Sequence, residues 1–195
     1  MKRQAEITRK TKETHITLAV DLDGSGRGEL KTGIGFFDHL LDALRKHAGF
    51  DLSVDASGDL YVDGHHTVED VGIVLGQAFD QALGERKGIT RFGFAYCPLD
   101  EALARSVVDI SGRSFFNMEN PMKWQNIGEF QGELFPEFLR AFAMNARITL
   151  HIALLCGRNQ HHALEAMVKS LARALRMAVA PDPRTSGTPS TKGVL

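Results

Sequence analysis

The chain has 195 residues, 43% hydrophobic and 24% charged, which is enough to bury the core of one large domain or two small ones. Its net charge of −1 argues against broad electrostatic binding to nucleic acid or to an anionic membrane surface. The polar N-terminus and the lack of an apolar run of about 18 residues predict neither a signal peptide nor a membrane span, so we expect a cytoplasmic protein.

The first half alternates strand-like and helix-like segments. Residues 16–30, ITLAVDLDGSGRGEL, predict a hairpin in which GSGRG forms the turn. Residues 36–44, FFDHLLDAL, have helical periodicity, and residues 50–57, FDLSVDAS, alternate as a strand does. Residues 65–83, HHTVEDVGIVLGQAFDQAL, predict a second helix.

The second half repeats this order, which indicates an internal duplication. Its corresponding segments are LARSVVDISGRSFF (103–116), LFPEFLRAF (134–142), RITLHIAL (147–154) and HHALEAMVKSLARALRMAV (161–179). We place the boundary near residues 86–92, so that residues 1–90 form the first half and residues 91–195 form the second half with a C-terminal tail, in one compact duplicated domain. The isolated Cys97 and Cys156 are predicted to be buried free thiols.

The motif His-His-x-x-Glu occurs in both halves, 96 residues apart, as His65-His66-x-x-Glu69 and His161-His162-x-x-Glu165. On a helix the first His and the Glu are i and i+4 neighbours, so both can reach one ion. The second His points about 100° away around the helix axis, which favours two metals near each motif.

Two further candidate ligands align with each other in the helices that precede these motifs. His39 in FFDHLLDAL corresponds to Glu137 in LFPEFLRAF, and His151 is the competing candidate for the place of Glu137. Mixed imidazole and carboxylate ligands with open positions suit Mn²⁺ or Fe²⁺ as well as zinc. The sequence thus offers eight donors for two ions: His39, His65, His66, Glu69, Glu137, His161, His162 and Glu165.

Four segments together resemble the imidazoleglycerol-phosphate dehydratase family: DHLLDAL, GHHTVEDVGIVLG, GRNQHHALEA and PSTKGVL. The resemblance runs from about residue 3 to the end. It implies an α/β fold of the α+β type, in which each half is a four-stranded mixed sheet with two helices on one face. It also implies a manganese-dependent hydro-lyase of histidine biosynthesis, assembled as a trimer-based 24-mer with two Mn²⁺ at each interfacial active site.

The resemblance implies two ligand sets, each mixing both halves. One ion would take His39, His65, Glu69 and His162, and the other His66, Glu137, His161 and Glu165. Two positions depart from the family pattern, because Glu137 stands where many members have His and Ala43 where many have Gln. Glu137 remains a competent oxygen donor.

The implied reaction removes water from D-erythro-imidazoleglycerol phosphate and yields imidazole acetol phosphate. A general base must take a proton from carbon, and a general acid must assist the leaving hydroxyl. By resemblance, Glu165 transfers the proton with His66 as its partner, and Glu13 orients the substrate hydroxyls. The division into acid and base stays open.

The resemblance also assigns the residues that hold the phosphate: Arg91, Arg113, Lys169, Ser190 and Lys192. An arginine fork suits a phosphate group. The tail, residues 181–195, has the composition of a disordered segment, but we expect it to become ordered over the active site when substrate is bound.

Two other classes of protein would use similar ligands. A dinuclear metallohydrolase normally needs aspartates around a bridging hydroxide, and no DxH or HxHxD string occurs. A metal-storage protein would not require the converging Arg, Lys and Ser residues.

Overall fold

A computed structural model of the chain describes residues 2–193 and residue 195. The first half contains β1 (Gln4–Lys10), β2 (Thr14–Asp21), β3 (Leu30–Lys31), α1 (Gly35–Ala48), β4 (Asp51–Gly58) and α2 (His65–Leu83). The second half contains β5 (Phe92–Leu99), β6 (Ala102–Asp109), β7 (Phe115–Glu119), α3 (Leu134–Asn145), β8 (Thr149–Cys156) and α4 (Gln160–Val179).

Each half forms its own four-stranded mixed sheet. The strand orders are β1-β2-β4-β3 and β5-β6-β8-β7. In both sheets the last neighbour pairs in parallel, β3 with β4 and β7 with β8, while the other pairs are antiparallel. The predicted fold class is confirmed, because the two halves repeat one topology.

The core lies on the helix-facing side of both sheets. On β2 the side chains of Ile16, Leu18 and Val20 are buried while their neighbours are more exposed, which is the period of two expected of a half-buried strand. α2 packs on the first sheet and α4 on the second, whereas α1 packs against α4 and α2 against α3. The buried apolar residues of both halves form one continuous cluster. Helices from different halves are therefore direct neighbours.

The predicted hairpin at residues 16–30 is wrong. β2 pairs with β1 and β4, while β3 lies at the far edge of the sheet. The glycine-rich segment therefore crosses the end of β4 instead of turning back on β2. It does so closely: a Cβ on Gly28, whose φ is +138°, would lie 1.9 Å from the Leu52 carbonyl oxygen. The Asp51 carboxylate accepts hydrogen bonds from the backbone N–H groups of Ser25 and Arg27, at 2.8 and 2.9 Å.

The outer faces of the two sheets differ in polarity. The first sheet presents polar side chains such as Glu6, Thr8 and Asp55. The second presents large apolar side chains that are more than 40% exposed: Phe92, Phe94, Tyr96, Val107 and Phe115. The duplicated halves are thus alike in topology but not in surface chemistry.

The cysteines differ in exposure. Cys97 is buried as predicted, but Cys156 lies exposed at the end of β8, which corrects the expectation that both are buried. Among the described residues, no helix has the length and apolar character needed to span a membrane.

Candidate metal centre and active site

The two His-His pairs lie in the first turns of α2 and α4. The side chain of Asn159 caps α4 and accepts hydrogen bonds from the backbone N–H groups of His161 and His162. At the start of α2, the Asp63 carboxylate accepts the His65 N–H at 2.8 Å. Because the helix starts are fixed in this way, the imidazoles are presented from rigid backbone.

Three of the predicted ligands converge at the contact between α1 and α4. The Glu165 Oε2 atom lies 3.2 Å from the His39 Nε2 and 3.2 Å from the His161 Nε2. One ligand atom from each of these three residues falls within 4.8 Å of the others. The ring of Phe36 packs against both imidazoles, with centroids 5.8 Å from His39 and 4.9 Å from His161. We call His39, His161 and Glu165 the α1–α4 cluster.

The carboxylate of this cluster is held ionised. Burial raises the pKa of Glu165, but the hydrogen bonds from Lys169 and His39 outweigh it and lower this pKa to about 2. The Lys169 Nζ lies 2.5 Å from the Glu165 Oε1. Lys169, which was predicted to bind phosphate, thus contacts the α1–α4 cluster itself.

The second histidine of each pair is oriented by a carboxylate. The His162 Nδ1 lies 2.8 Å from the Glu101 Oε2, and the His66 Nδ1 lies 3.0 Å from the Asp59 Oδ2. These hydrogen bonds raise the pKa of both histidines, and the pKa of Glu101 is lowered to about 2, first by His162 and then by backbone N–H groups. Each Nε2 makes no hydrogen bond and lies 3.9 Å from a carboxylate oxygen, that of Glu13 for His66 and that of Asp100 for His162. A carboxylate on one ring nitrogen with the other nitrogen open to a ligand is the usual arrangement of a metal-ligating His.

Asp59 and Glu101 were missed by the sequence analysis. Glu101 lies 61 residues from His162, and Asp59 lies seven residues from His66 but outside the helix whose i,i+4 spacing indicates the ligands, so the motif predicted neither. Glu13 was predicted, and its Oε2 lies 3.9 Å from the His66 Nε2.

The remaining predicted ligands are arranged differently. The His65 Nε2 lies 3.9 Å from the Glu69 Oε2, but Glu137 pairs with Arg140 at 2.5 Å, and Arg140 also approaches Glu69 at 3.7 Å. A cation of the protein thus occupies the space between these two carboxylates. His151 lies on the open face of β8, 5.5 Å from the ring of Phe115, away from these helices.

Within one chain His39 lies beside a residue of the other implied ligand set, while the division itself, which draws ligands from neighbouring chains, stays a prediction. His39 was grouped with His65, Glu69 and His162, yet in the structure it contacts Glu165 and lies beside His161. The reason is the packing of α1 against α4 rather than against α2.

Two clefts flank His161. One of 430 Å³ is lined by Phe36, His39 and His161 and by residues 127–129. The other, of 610 Å³, is lined by His161, His162 and Glu101 and by residues 125–127. The connection between β7 and α3, which contains Trp124 and had no predicted role, therefore borders the candidate site on both sides.

Apart from Lys169, the predicted phosphate residues lie in the tail or beside it. Arg91 pairs with Asp109, at 2.7 and 3.1 Å, and donates to the Pro189 carbonyl at 2.7 Å. The Ser190 Oγ accepts the N–H of Lys192 at 3.1 Å. Leu195 lies against Gly112, the neighbour of Arg113. The tail thus runs beside both arginines, although Arg91 already has a carboxylate partner.

The family model for imidazoleglycerol-phosphate dehydratase matches residues 32–175. The chain belongs to this family. It is 58% identical to the imidazoleglycerol-phosphate dehydratase of Gluconobacter oxydans over 99% of this chain and 98% of that protein. With the enzyme of Azorhizobium caulinodans it shares 59% identity over the same fractions.

Solved dehydratases have the same fold. The crystal structure of the Staphylococcus aureus enzyme matches with a TM-score of 0.83 at 37% identity, covering 91% of this chain and 99% of that one. The structure from Pyrococcus furiosus matches with a TM-score of 0.84 at 39% identity, covering 97% and 100%. The predicted family, and with it the class of hydro-lyase, is confirmed.

The residues present fit a divalent cation. Two imidazole nitrogens and an ionised carboxylate within 4.8 Å form a donor set that suits Mn²⁺ or Fe²⁺ as well as zinc. Three protein ligands leave coordination positions open, which a purely structural site does not need.

Proposed function

We propose that this chain dehydrates D-erythro-imidazoleglycerol phosphate to imidazole acetol phosphate in histidine biosynthesis, at Mn²⁺ sites that neighbouring copies of the chain complete. The observation that carries the metal site is the α1–α4 cluster, in which His39, His161 and Glu165 already converge within one chain. We further propose that the enzyme works in the cytoplasm.

The α1–α4 cluster would hold one ion, and His65 with Glu69 would contribute to a second. A bound divalent cation supplies positive charge beside the imidazole ring of the substrate, which lowers the cost of removing a proton from an otherwise unactivated carbon. Glu137 would serve the second ion after its pair with Arg140 opens.

Proton transfer falls to Glu165 and His66. Glu165 carries no proton at neutral pH because, although burial raises its pKa, the hydrogen bonds from Lys169 and His39 lower it to about 2. A carboxylate with so low a pKa would take the carbon proton only where the cation acidifies that carbon. Asp59 raises the pKa of His66, which favours a proton on the imidazole that can pass to a leaving hydroxyl. Glu13, beside the His66 Nε2, would orient the substrate hydroxyls.

The phosphate of the substrate would bind beside the tail. Arg113 and Lys192 supply positive charge there, and Ser190 supplies a hydroxyl. Arg91 would share its guanidinium between Asp109 and the phosphate. Lys169, which contacts Glu165, would lie at the boundary between the metal cluster and this phosphate site.

We propose that the chain assembles into a trimer-based 24-mer with interfacial sites, and two observations support a homo-oligomer. First, His162 does not join His39, His161 and Glu165 in the one group of the described residues whose donor atoms lie close enough for an ion, so it is available to an ion that another copy helps to hold. Second, the second sheet exposes a contiguous aromatic face, which is unusual for the surface of a monomer. A second copy of the chain would cover it.

A turnover assay with chelated protein tests the proposal. We expect activity on imidazoleglycerol phosphate to vanish on chelation and to return with Mn²⁺. Mass measured on the same samples should fall and recover, because ions bound between chains stabilise the assembly. Full mass after chelation would contradict the link between metal and assembly. Bound manganese without turnover would overturn the dehydratase assignment and favour metal storage or hydrolysis.

A further inference from the structure

A buried hydrogen-bond network holds the turn between β1 and β2. Asp70, on α2, is 7% exposed, and its Oδ2 accepts hydrogen bonds from Arg9 and from the hydroxyl of Thr14. Thr14 is 4% exposed and begins β2. Arg9 lies near the end of β1, so a single carboxylate ties both strands of the hairpin to α2.

The network continues into the turn itself. The Thr11 Oγ1 lies 3.2 Å from the Thr14 Oγ1 and accepts the backbone N–H groups of Glu13 and Thr14, at 3.1 and 2.9 Å. The Thr11 N–H donates to the Thr14 carbonyl at 2.8 Å. Asp70 therefore fixes Thr14, Thr14 contacts Thr11, and Thr11 fixes the backbone of Glu13.

Glu13 ends this series of contacts beside the candidate active site. Its side chain is 54% exposed, and its carboxylate lies 3.9 Å from the His66 Nε2. Asp70 follows His66 by one helical turn on α2, so both project from the same face of the helix. The helix that carries His66 thus also carries the anchor of the turn that carries Glu13.

We propose that Asp70, acting through the Thr14 hydroxyl, is a positioning residue that sets the distance between Glu13 and His66. The inference rests on the proposed function, in which Glu13 contacts the substrate. Its physical basis is that the backbone of a short turn sets the position of an exposed carboxylate that the turn carries. A misplacement of about 1 Å costs up to about 100-fold in rate.

Thr14 is the position to change, because Asp70→Ala would leave Arg9 facing an empty buried site and would risk unfolding. Thr14→Val keeps the shape of the side chain and removes the donor, while Thr14→Ser keeps the donor. Thr8→Val is the matched control: it removes a hydroxyl from the same hairpin, where Thr8 pairs with Thr17 at 3.1 Å on the outer face. Glu13→Gln and the double variant Glu13→Gln/Thr14→Val complete the set.

The experiment determines kcat and KM at saturating Mn²⁺ for each variant, together with the mass of the assembly and the midpoint of thermal unfolding. We expect Thr14→Val to lower kcat/KM by about tenfold or more, Thr14→Ser to restore most of it, and Thr8→Val to match the wild type. In the Glu13→Gln background, Thr14→Val should have no further effect, because the carboxylate that it positions is gone.

The outcomes separate the two proposals. A wild-type protein without turnover overturns the proposed function. With wild-type turnover present, the positioning role is overturned if Glu13→Gln or Thr14→Val leaves kcat/KM unchanged. It is also overturned if Thr14→Ser is as impaired as Thr14→Val, or if the losses of Glu13→Gln and Thr14→Val multiply. A lower thermal midpoint with unchanged kcat/KM would show a structural role alone.

Discussion

At the scale of single residues, the candidate site depends on which nitrogen of each histidine is engaged. His66 and His162 direct Nδ1 to Asp59 and Glu101, with Nε2 3.9 Å from Glu13 and Asp100, whereas His39 and His161 direct Nε2 to Glu165. A carboxylate on Nδ1 fixes both the tautomer and the direction of the ring, so it controls metal affinity without touching the ion.

A substitution at Glu101 tests whether such a carboxylate affects metal affinity. Glu101→Gln weakens the hydrogen bond to His162, and we expect Mn²⁺ affinity to fall by about 10- to 100-fold, measured by calorimetric titration. Glu119→Gln, an exposed change on β7, is the control and should bind Mn²⁺ as the wild type does. Equal affinity in both variants would contradict a role for Glu101 in metal binding.

The sequence predicted the histidine motifs because helical spacing is local. It did not predict that His39 meets Glu165, since that contact depends on which helices pack together. Nor did it predict the Arg140 that pairs with Glu137, although the two are three residues apart, because an i,i+3 ion pair is common on any helix surface.

At the scale of elements, periodicity predicted the four helices and most strands, but it predicted neither β1 and β5 nor the order of the strands. The alternation in residues 16–30 fits a hairpin and a crossover equally well. The structure has the crossover, because β4 lies between β2 and β3. Asp51 at the start of β4 holds the crossing segment by accepting two backbone N–H groups, which a sequence pattern does not reveal.

The crossing segment gives a pH-dependent contribution to stability. The backbone N–H groups of Ser25 and Arg27 lower the pKa of Asp51 below its ordinary value of 3.8. A group with a lowered pKa in the folded state stabilises the fold above the unfolded pKa, and this contribution is lost as the pH falls through the folded value. We therefore expect Asp51→Asn to lower the thermal midpoint at pH 7, with a difference from wild type that shrinks below about pH 4.

Asp55→Asn is the matched control for this change. Asp55 lies on the same strand but is exposed on the outer face, so its removal should alter the midpoint little at any pH. A pH-independent effect of Asp51→Asn would show that the carboxylate charge is not what holds the segment.

At the scale of the whole molecule, the outer faces of the two sheets differ in chemistry, polar on the first and aromatic on the second. Phe94 is 59% exposed at the middle of β5, between Phe92 and Tyr96 on the same face. A charge placed there would have to be desolvated if another chain covers the face. We expect Phe94→Glu to lower the mass of the Mn²⁺-loaded protein, measured by light scattering, and to lower turnover with it.

Thr8→Glu places the same charge on the outer face of the first sheet and should leave the mass unchanged. If Phe94→Glu assembles fully, the aromatic face is not an interface. The sequence did not predict this exposed aromatic face, because alternating aromatic residues occur on any half-buried strand. Only the structure shows which side of the strand is open.

The packing of α1 on α4 and of α2 on α3 means that each helix contact takes one helix from either half. Two separate half-length chains would have formed the same contacts as a symmetric dimer, in which any substitution appears in both contacts at once. Because the two halves are joined in one polypeptide, a substitution at one position changes only one of the two contacts. His39 faces Glu165 where α1 packs on α4, and Glu137 and Glu69 take the corresponding places where α3 packs on α2, with Arg140 paired to both carboxylates. The two contacts therefore correspond in position but differ in charge.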